Sequence, residues 1–311
     1  MDLLDTQEFQ PRTVDKVERL LDVLEEIQRH PHLSGKLAMH GGTAINLFML
    51  DVPRLSVDID ISYIGALGRA NMLAERPDIE RAIIEVGDAL GYNVTFGEGG
   101  HAGITFALRY NGDWGPDQVK IDCIYMNRSP LFEPRLCTTT LRPEAQILMF
   151  CDYELAGGKV KAFFDRIKVR DLYDVSNLNQ LFASLDSEEE RLFHQTALYY
   201  ASLSARFPQS FEGRALRFSD KEADFADQLV PMLHSNNRQI SLQKLIEDGE
   251  AFIERFVLPR NESECEYLTR FATGEYCPEL IFDSNSMTQA AKESPEALWK
   301  LQNIKKLASQ E

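Results

Sequence analysis

Cysteine is scarce in this chain: Cys123, Cys137, Cys151, Cys265 and Cys277 are odd in number, widely spaced and form no C-x-x-C pair. That excludes a disulfide framework and a thiolate zinc site of ordinary spacing, and leaves reduced thiols. Long apolar runs are missing as well. The stretch AINLFML at 44–50 falls far short of the roughly 20 residues that span a bilayer, so no membrane partner is expected. The opening MDLLDTQEFQPRTVDKVERL has neither the basic start nor the apolar run of a signal peptide, and the expected location is cytoplasmic. Internal repeats and low-complexity segments are also lacking, which excludes solenoids and disordered tails.

What is present is a globular composition, 44% hydrophobic and 26% charged over 311 residues, a length that suits about two domains. The net charge of −16 argues against a surface coated with phosphate-binding residues, but the acid is unevenly spread. Residues 1–158 carry −10 and 175–311 carry −8, while 159–174 hold five basic against three acidic residues. On charge alone such a strip is a solvated helix face.

Residues 13–30 place Val14, Val17, Leu20, Leu21, Leu24 and Ile27 on one helical face with charges opposite, which predicts an amphipathic helix. Gly41-Gly42-Thr43 marks a turn into a second helix that runs to Leu50 and stops near Pro53. In SVDIDISYI at 56–64, Val57, Ile59 and Ile61 alternate with Ser56, Asp58, Asp60 and Ser62, the pattern of a half-buried strand. A helix over about 79–90 and strands in YNVTF, ITFALRY and QVKIDCIYM follow. From about Pro143 the pattern turns helical, with no convincing strand. The expected class is α+β: a small mixed sheet flanked by helices over 1–142, then a helical domain over 143–311.

Asp58 and Asp60 stand two apart on a strand, so both carboxylates share one face and repel. A divalent cation relieves that repulsion, and hard oxygen ligands suit Mg²⁺ or Mn²⁺ with a substrate's phosphates as further ligands. The glycine turn just upstream lets backbone approach a phosphate closely, with N–H groups at a helix start and the Thr43 hydroxyl as a further donor. Asp122 shares a face with Lys120 on another predicted strand and is placed as a third metal ligand or a general base. These features predict a metal-dependent site for a nucleoside triphosphate.

The residues resemble the nucleotidyltransferase superfamily with the polymerase-β-type fold, whose signature is a Gly-Gly or Gly-Ser turn, then D-x-D and a later Asp. The interval from Thr43 to Val57 is longer than is usual there. A closer match is the AbiEii/AbiGii toxin family, including the MenT toxins, where a long spacer precedes an R-x-S-x-D-x-D run. This chain reads Arg54-Leu55-Ser56-Val57-Asp58-Ile59-Asp60. Lys120-Ile121-Asp122 looks like that family's second motif, Lys159 like its third-motif lysine, and Arg170-Asp171-Leu172-Tyr173-Asp174 like its fourth. The tail with Trp299, Lys300 and Asn303 is similar to family C-termini.

The resemblance implies catalysis by Asp58, Asp60, Asp122, Lys159 and Asp171. It implies nucleotide binding by Gly41, Gly42, Thr43, Arg54, Ser56, Lys120 and Lys159, and metal binding by the three aspartates. It implies a toxin or phage-defence effector that transfers NMP from an NTP to RNA, at the tRNA 3′ end, and a cognate antitoxin. Within it, Lys159 neutralises charge on the leaving pyrophosphate. Lys161, Arg166 and Lys168 either meet an RNA backbone or remain a solvated face. Asp171 orients Lys159 or a base, or with Asp174 merely caps a helix or pairs with Arg166 or Arg170. Competing readings are nucleotidylation of a protein or small molecule, and a binding module without turnover.

Other signals carry less. GEGGHA at 97–102 matches a dinucleotide fingerprint, but a strand-like segment follows where a helix must begin, so a hairpin loop is expected. Glu188–Glu190 suits the start of a helix, and Tyr199 and Tyr200 suit packing more than base stacking.

Overall fold

The structure is a computed structural model, and it describes residues 8–211 and 215–308. The chain divides into two compact units: residues 1–151 with 231–238, and residues 152–230 with 239–311.

The first unit is a seven-stranded mixed sheet in the order β3-β4-β5-β2-β1-β7-β6. In chain order its elements are α1 (Pro11–Arg29), β1 (Leu37–His40), a helical turn α2 (Gly41–Ala44), β2 (Asp58–Tyr63), α3 (Arg69–Ala89), β3 (Asn93–Phe96), β4 (Gly103–Gly112), β5 (Gly115–Ile124), β6 (Arg135–Thr139) and β7 (Arg142–Met149). β2 lies near the centre, parallel to β5 and antiparallel to β1.

α1 forms as its periodicity predicts, with proline at its start and Val14, Val17, Leu20, Leu21, Leu24 and Ile27 buried. Its polar flank is tied to the sheet: Arg12 and Lys16 pair with Asp117 at 2.9 and 3.2 Å, and Arg142 pairs with Glu18, Asp22 and Glu25. α3 begins at Arg69, ten residues before its expected start, because its first turns are largely exposed and show no apolar period. The loop at 97–102 joins antiparallel β3 and β4, as the failed fingerprint suggested.

Two local expectations are corrected. After Gly41–Ala44 the backbone widens into a π-helix over Ile45–Met49, a form that often accompanies functional sites. The segment at 142–149, expected to be helical, is β7. Ala145, Ile147 and Met149 are buried, while Glu144 and Gln146 are exposed. That two-residue period was hidden by the apolar residues that follow it. The expected boundary at Pro143 therefore falls inside a strand, and the first unit continues to 151. It also takes in 231–238, stitched to 53–55 by Leu55 N–H donating to Met232 O and His234 N–H to Pro53 O.

The described residues of the second unit contain no strand. Its helices are α4 (Asp152–Asp165), α5 (Val169–Leu181), α6 (Ser187–Ser202), a short turn α7 (Glu222–Asp224), α8 (Leu242–Phe256), α9 (Glu262–Ala272), α10 (Asn285–Glu293) and α11 (Pro295–Ala308). Aromatic residues dominate its core, with the Phe182 and Phe193 rings 4.4 Å apart and Phe252 and Phe256 packed beside Phe193. α4 and α6 approach closely at Gly157, where a Cβ would lie 2.5 Å from the Tyr200 ring. Asp186 and Glu189 form a reciprocal cap at the start of α6, so Glu188–Glu190 does open a helix.

Candidate active site

The parallel pairing of β2 and β5 sets Asp58 opposite Lys120 and Asp60 opposite Asp122. Directly opposed residues project to the same face, so these four side chains share one side of the sheet. The other side carries Ile59, Ile61, Ile121 and Cys123, all buried. The alternation that makes β2 a strand is thus what puts its two carboxylates on one surface. On the far side of Asp60, β1 places His40 opposite it, stacked on Phe150 at 5.6 Å. On the far side of Asp122, β4 supplies Thr105, whose hydroxyl donates to Asp122 Oδ1 at 2.5 Å.

Lys120 Nζ donates to Asp122 Oδ2 at 2.6 Å. That bond, against a smaller opposing effect of burial, raises the lysine pKa above its ordinary value, with help from the charges of Asp122, Asp58 and Asp60. Lys120 is therefore the counter-charge of the carboxylate row.

The turn from β1 into α2 closes the site. Gly41 adopts φ +78°, and a Cβ there would come within 2.7 Å of Asp60 Cγ, so only glycine fits. Thr43 is buried, and its hydroxyl donates to the Asp58 carbonyl at 2.5 Å while lying 2.9 Å from Ser56 Oγ. Its single proton fixes α2 to the start of β2. Gly42 is held through its carbonyl, which accepts from Asn46 Nδ2 at 2.9 Å. Arg54 is buried, donates to the Leu55 carbonyl at 3.0 Å and bridges in strand fashion to Leu233, and Ser56 is buried beside Thr43. A cavity of about 420 Å³ opens against Asp60, Asp122 and Thr105, with Gly97, Glu98 and Ala102 among its walls.

Asp58 and Asp60 offer hard oxygen donors on one face, with Asp122 alongside, which fits a divalent cation that takes phosphate oxygens as its other ligands. Among the described residues no three His, Cys, Asp or Glu side chains close into a ligand cluster, and Asp122 is engaged by Lys120 and Thr105.

A second charged group lies in the second unit. Lys159 is 4% exposed, and Nζ lies 2.9 Å from both Asp171 Oδ1 and Asp174 Oδ2. Arg166 pairs with Asp171 through Nε at 2.6 Å. Burial alone would raise the Asp171 pKa, but Lys159 and Arg166 hold it below its ordinary value. To meet a phosphate, Lys159 would have to exchange a carboxylate partner. The basic strip is largely spent internally, since Lys161 pairs with Glu296 at 2.5 Å and Arg166 with Asp171. Lys168 remains exposed. In the tail, Lys300 is buried, donates to the Ser204 carbonyl, and is pushed by burial down to about 8, while Trp299 is exposed. Tyr199 and Tyr200 pack internally, and the Tyr200 hydroxyl donates to Glu154 at 2.7 Å.

His40 and Thr105 escaped sequence reasoning. His40 directly precedes the glycine turn, a position that invited inspection, whereas Thr105 becomes visible only through the β4–β5 register.

Two solved structures share the fold. A Helicobacter pylori structure described as a nucleotidyltransferase has a TM-score of 0.51 at 14% identity, covering 79% of this chain and 95% of that one. MenT4, a nucleotidyltransferase toxin from Mycobacterium tuberculosis, has a TM-score of 0.50 at 14% identity, covering 95% of both chains. A search of curated proteins gives no match. The family described as nucleotidyl transferase AbiEii toxin, of type IV toxin–antitoxin systems, matches residues 22–255. With that match over most of its length, the chain belongs to the AbiEii family of nucleotidyltransferase toxins.

Proposed function

We propose that this nucleotidyltransferase moves NMP from an NTP to the 3′ end of an RNA, with tRNA as the acceptor, and thereby blocks translation in the cytoplasm until a cognate antitoxin counters it. The observation that carries the reading is the register of Asp58, Asp60 and Asp122 on one face, beside a glycine turn and Lys120. Among the described residues no helix is long and apolar enough to cross a membrane.

In this reading Asp58 and Asp60 hold a divalent cation, Mg²⁺ or Mn²⁺, with Asp122 as the third carboxylate. When bound, the cation neutralises phosphate charge. The Gly41–Gly42 backbone and Lys120 hold the triphosphate, and Thr43, Ser56 and Arg54 fix the chain that presents them. The acceptor hydroxyl attacks the α-phosphorus: the new O–P bond forms, the bond to the β-phosphate oxygen breaks, and pyrophosphate leaves with the electron pair. Asp122 takes the hydroxyl proton. Lys159 and Asp171 contribute through the buried charge group they form.

Each labelled NTP, incubated with the enzyme, total RNA and lysate protein, tests the acceptor class. Label in RNA supports the proposal. Label in protein or a small molecule alone overturns it.

A further inference from the structure

The catalytic face of the sheet does not end at the carboxylates. The β3–β4–β5 register continues it outward in polar rows: Asp122 lies opposite Thr105, then Lys120 opposite Ala107 and Thr95, then Gln118 opposite Arg109 and Asn93, then Pro116 opposite Asn111. The alternate residues Ile104, Phe106, Leu108, Val119 and Ile121 are buried on the other face. Thr105, Arg109, Asn111, Gln118 and Asn93 are all exposed. All but Thr105 border a shallow cavity of about 690 Å³, whose walls also include Thr95 and the carboxylate residue Asp117.

Arg109 is the distinctive member of this surface. Arg12, Arg19, Arg76 and Arg142 are each committed to a carboxylate, whereas Arg109 has no side-chain partner among the described residues. Asp117, which also borders the cavity, is compensated by Arg12 and Lys16. Among the described residues that guanidinium thus stands free in a field of amide and hydroxyl groups, four residues along β4 from Thr105, the cross-strand partner of Asp122. At the usual rise of a strand that is about 13 Å.

We propose that this open face of β3–β4–β5 is the track for the acceptor, a single-stranded RNA end, with Arg109 taking a backbone phosphate set back about 13 Å from the reacting hydroxyl. The inference rests on the RNA reading above. An RNA strand suits the surface because guanidinium recognises phosphate, and the neutral donors and acceptors of Asn93, Thr95, Asn111 and Gln118 suit ribose and base edges. It also offers a site for the backbone contact that is one of two readings of the basic strip at 159–174, whose Lys161 and Arg166 are already paired.

The test compares wild type with Arg109→Ala, and with Gln118→Glu, which adds a repelling charge in the same row. Both positions are exposed, and unfolding by urea verifies the fold of each variant. Labelled transfer is measured against RNA concentration, NTP concentration and salt. The expected result is a rise of about tenfold in KM for RNA with KM for NTP unmoved, and a salt slope for RNA smaller by about one in Arg109→Ala. An RNA KM and salt slope equal to wild type in both variants, with normal RNA labelling, overturns the track alone. Wild-type enzyme that labels no RNA overturns the acceptor reading and the track with it.

Discussion

Gly41 and Asp60 sit so close that a single methyl group on the glycine would overlap the aspartate's carboxyl carbon, 2.7 Å from where the Cβ would stand. The left-handed φ of +78° at Gly41 is the second constraint on the same residue. Gly41→Ala therefore displaces the Asp60 carboxylate, proposed above as a metal ligand, while leaving the buried side of β2 intact. Misplacement on the scale of an ångström costs about 10²-fold in rate, and we expect Gly41→Ala to lose at least that in NMP transfer. The accompanying fall in stability should be about 1–3 kcal/mol, the range for backbone strain. Turnover and urea unfolding measured on one preparation check both.

Lys159 behaves as the centre of a buried ion cluster, so its removal should be felt first in stability. Lys159→Met leaves Asp171 and Asp174 facing each other with little solvent, and breaking buried pairs of this kind costs about 3–5 kcal/mol. Adding Asp171→Asn and Asp174→Asn should recover much of that loss. Equilibrium unfolding of the single and triple variants tests this. A Lys159→Met protein with wild-type stability and no transfer would instead assign the amine directly to chemistry.

Acid stability follows from Asp171. Its folded pKa lies below the ordinary 3.8 because Lys159 and Arg166 outweigh burial. The unfolded chain then binds the proton more readily, so the stabilisation is present above about pH 4 and is lost as pH falls through the folded value. The difference in unfolding free energy between wild type and Asp171→Asn should be constant from pH 5 to 7 and shrink below pH 4. A pH series of urea titrations reads it.

Lys300 gives a rise of the same sign in alkali, there as the relief of a buried charge. Burial lowers its pKa from 10.5 to about 8, while Asp165 and Glu296 favour its charge and Lys161 opposes it. Between those values the unfolded state holds more protons, so stability rises with pH through that window. Wild type should gain on Lys300→Met between pH 8 and 10, as measured by unfolding at each pH.

α1, β2 and the glycine turn were legible because each has a strong local signal: an apolar period, an alternation, a glycine pair. The β6–β7 hairpin was not, because the alternation of Ala145, Ile147 and Met149 runs straight into helix α4 without a break in hydrophobicity. The partnering of the carboxylates was also hidden. Thr105 reaches Asp122, and His40 lies opposite Asp60, only through cross-strand register, and the strip lysine Lys161 is neutralised by Glu296, far along the chain. Local patterns name the chemistry; long-range pairing decides which charges remain free for it.

The central claim is that the Asp58–Asp60–Asp122 face performs the transfer. The most direct measurement is sequencing of RNA 3′ ends after incubation with each NTP and either wild type, Asp60→Asn or Asp122→Asn. The account predicts added nucleotides with wild type and a loss of at least 10³-fold with either variant, each still folded. Undiminished 3′ addition by both variants would contradict it.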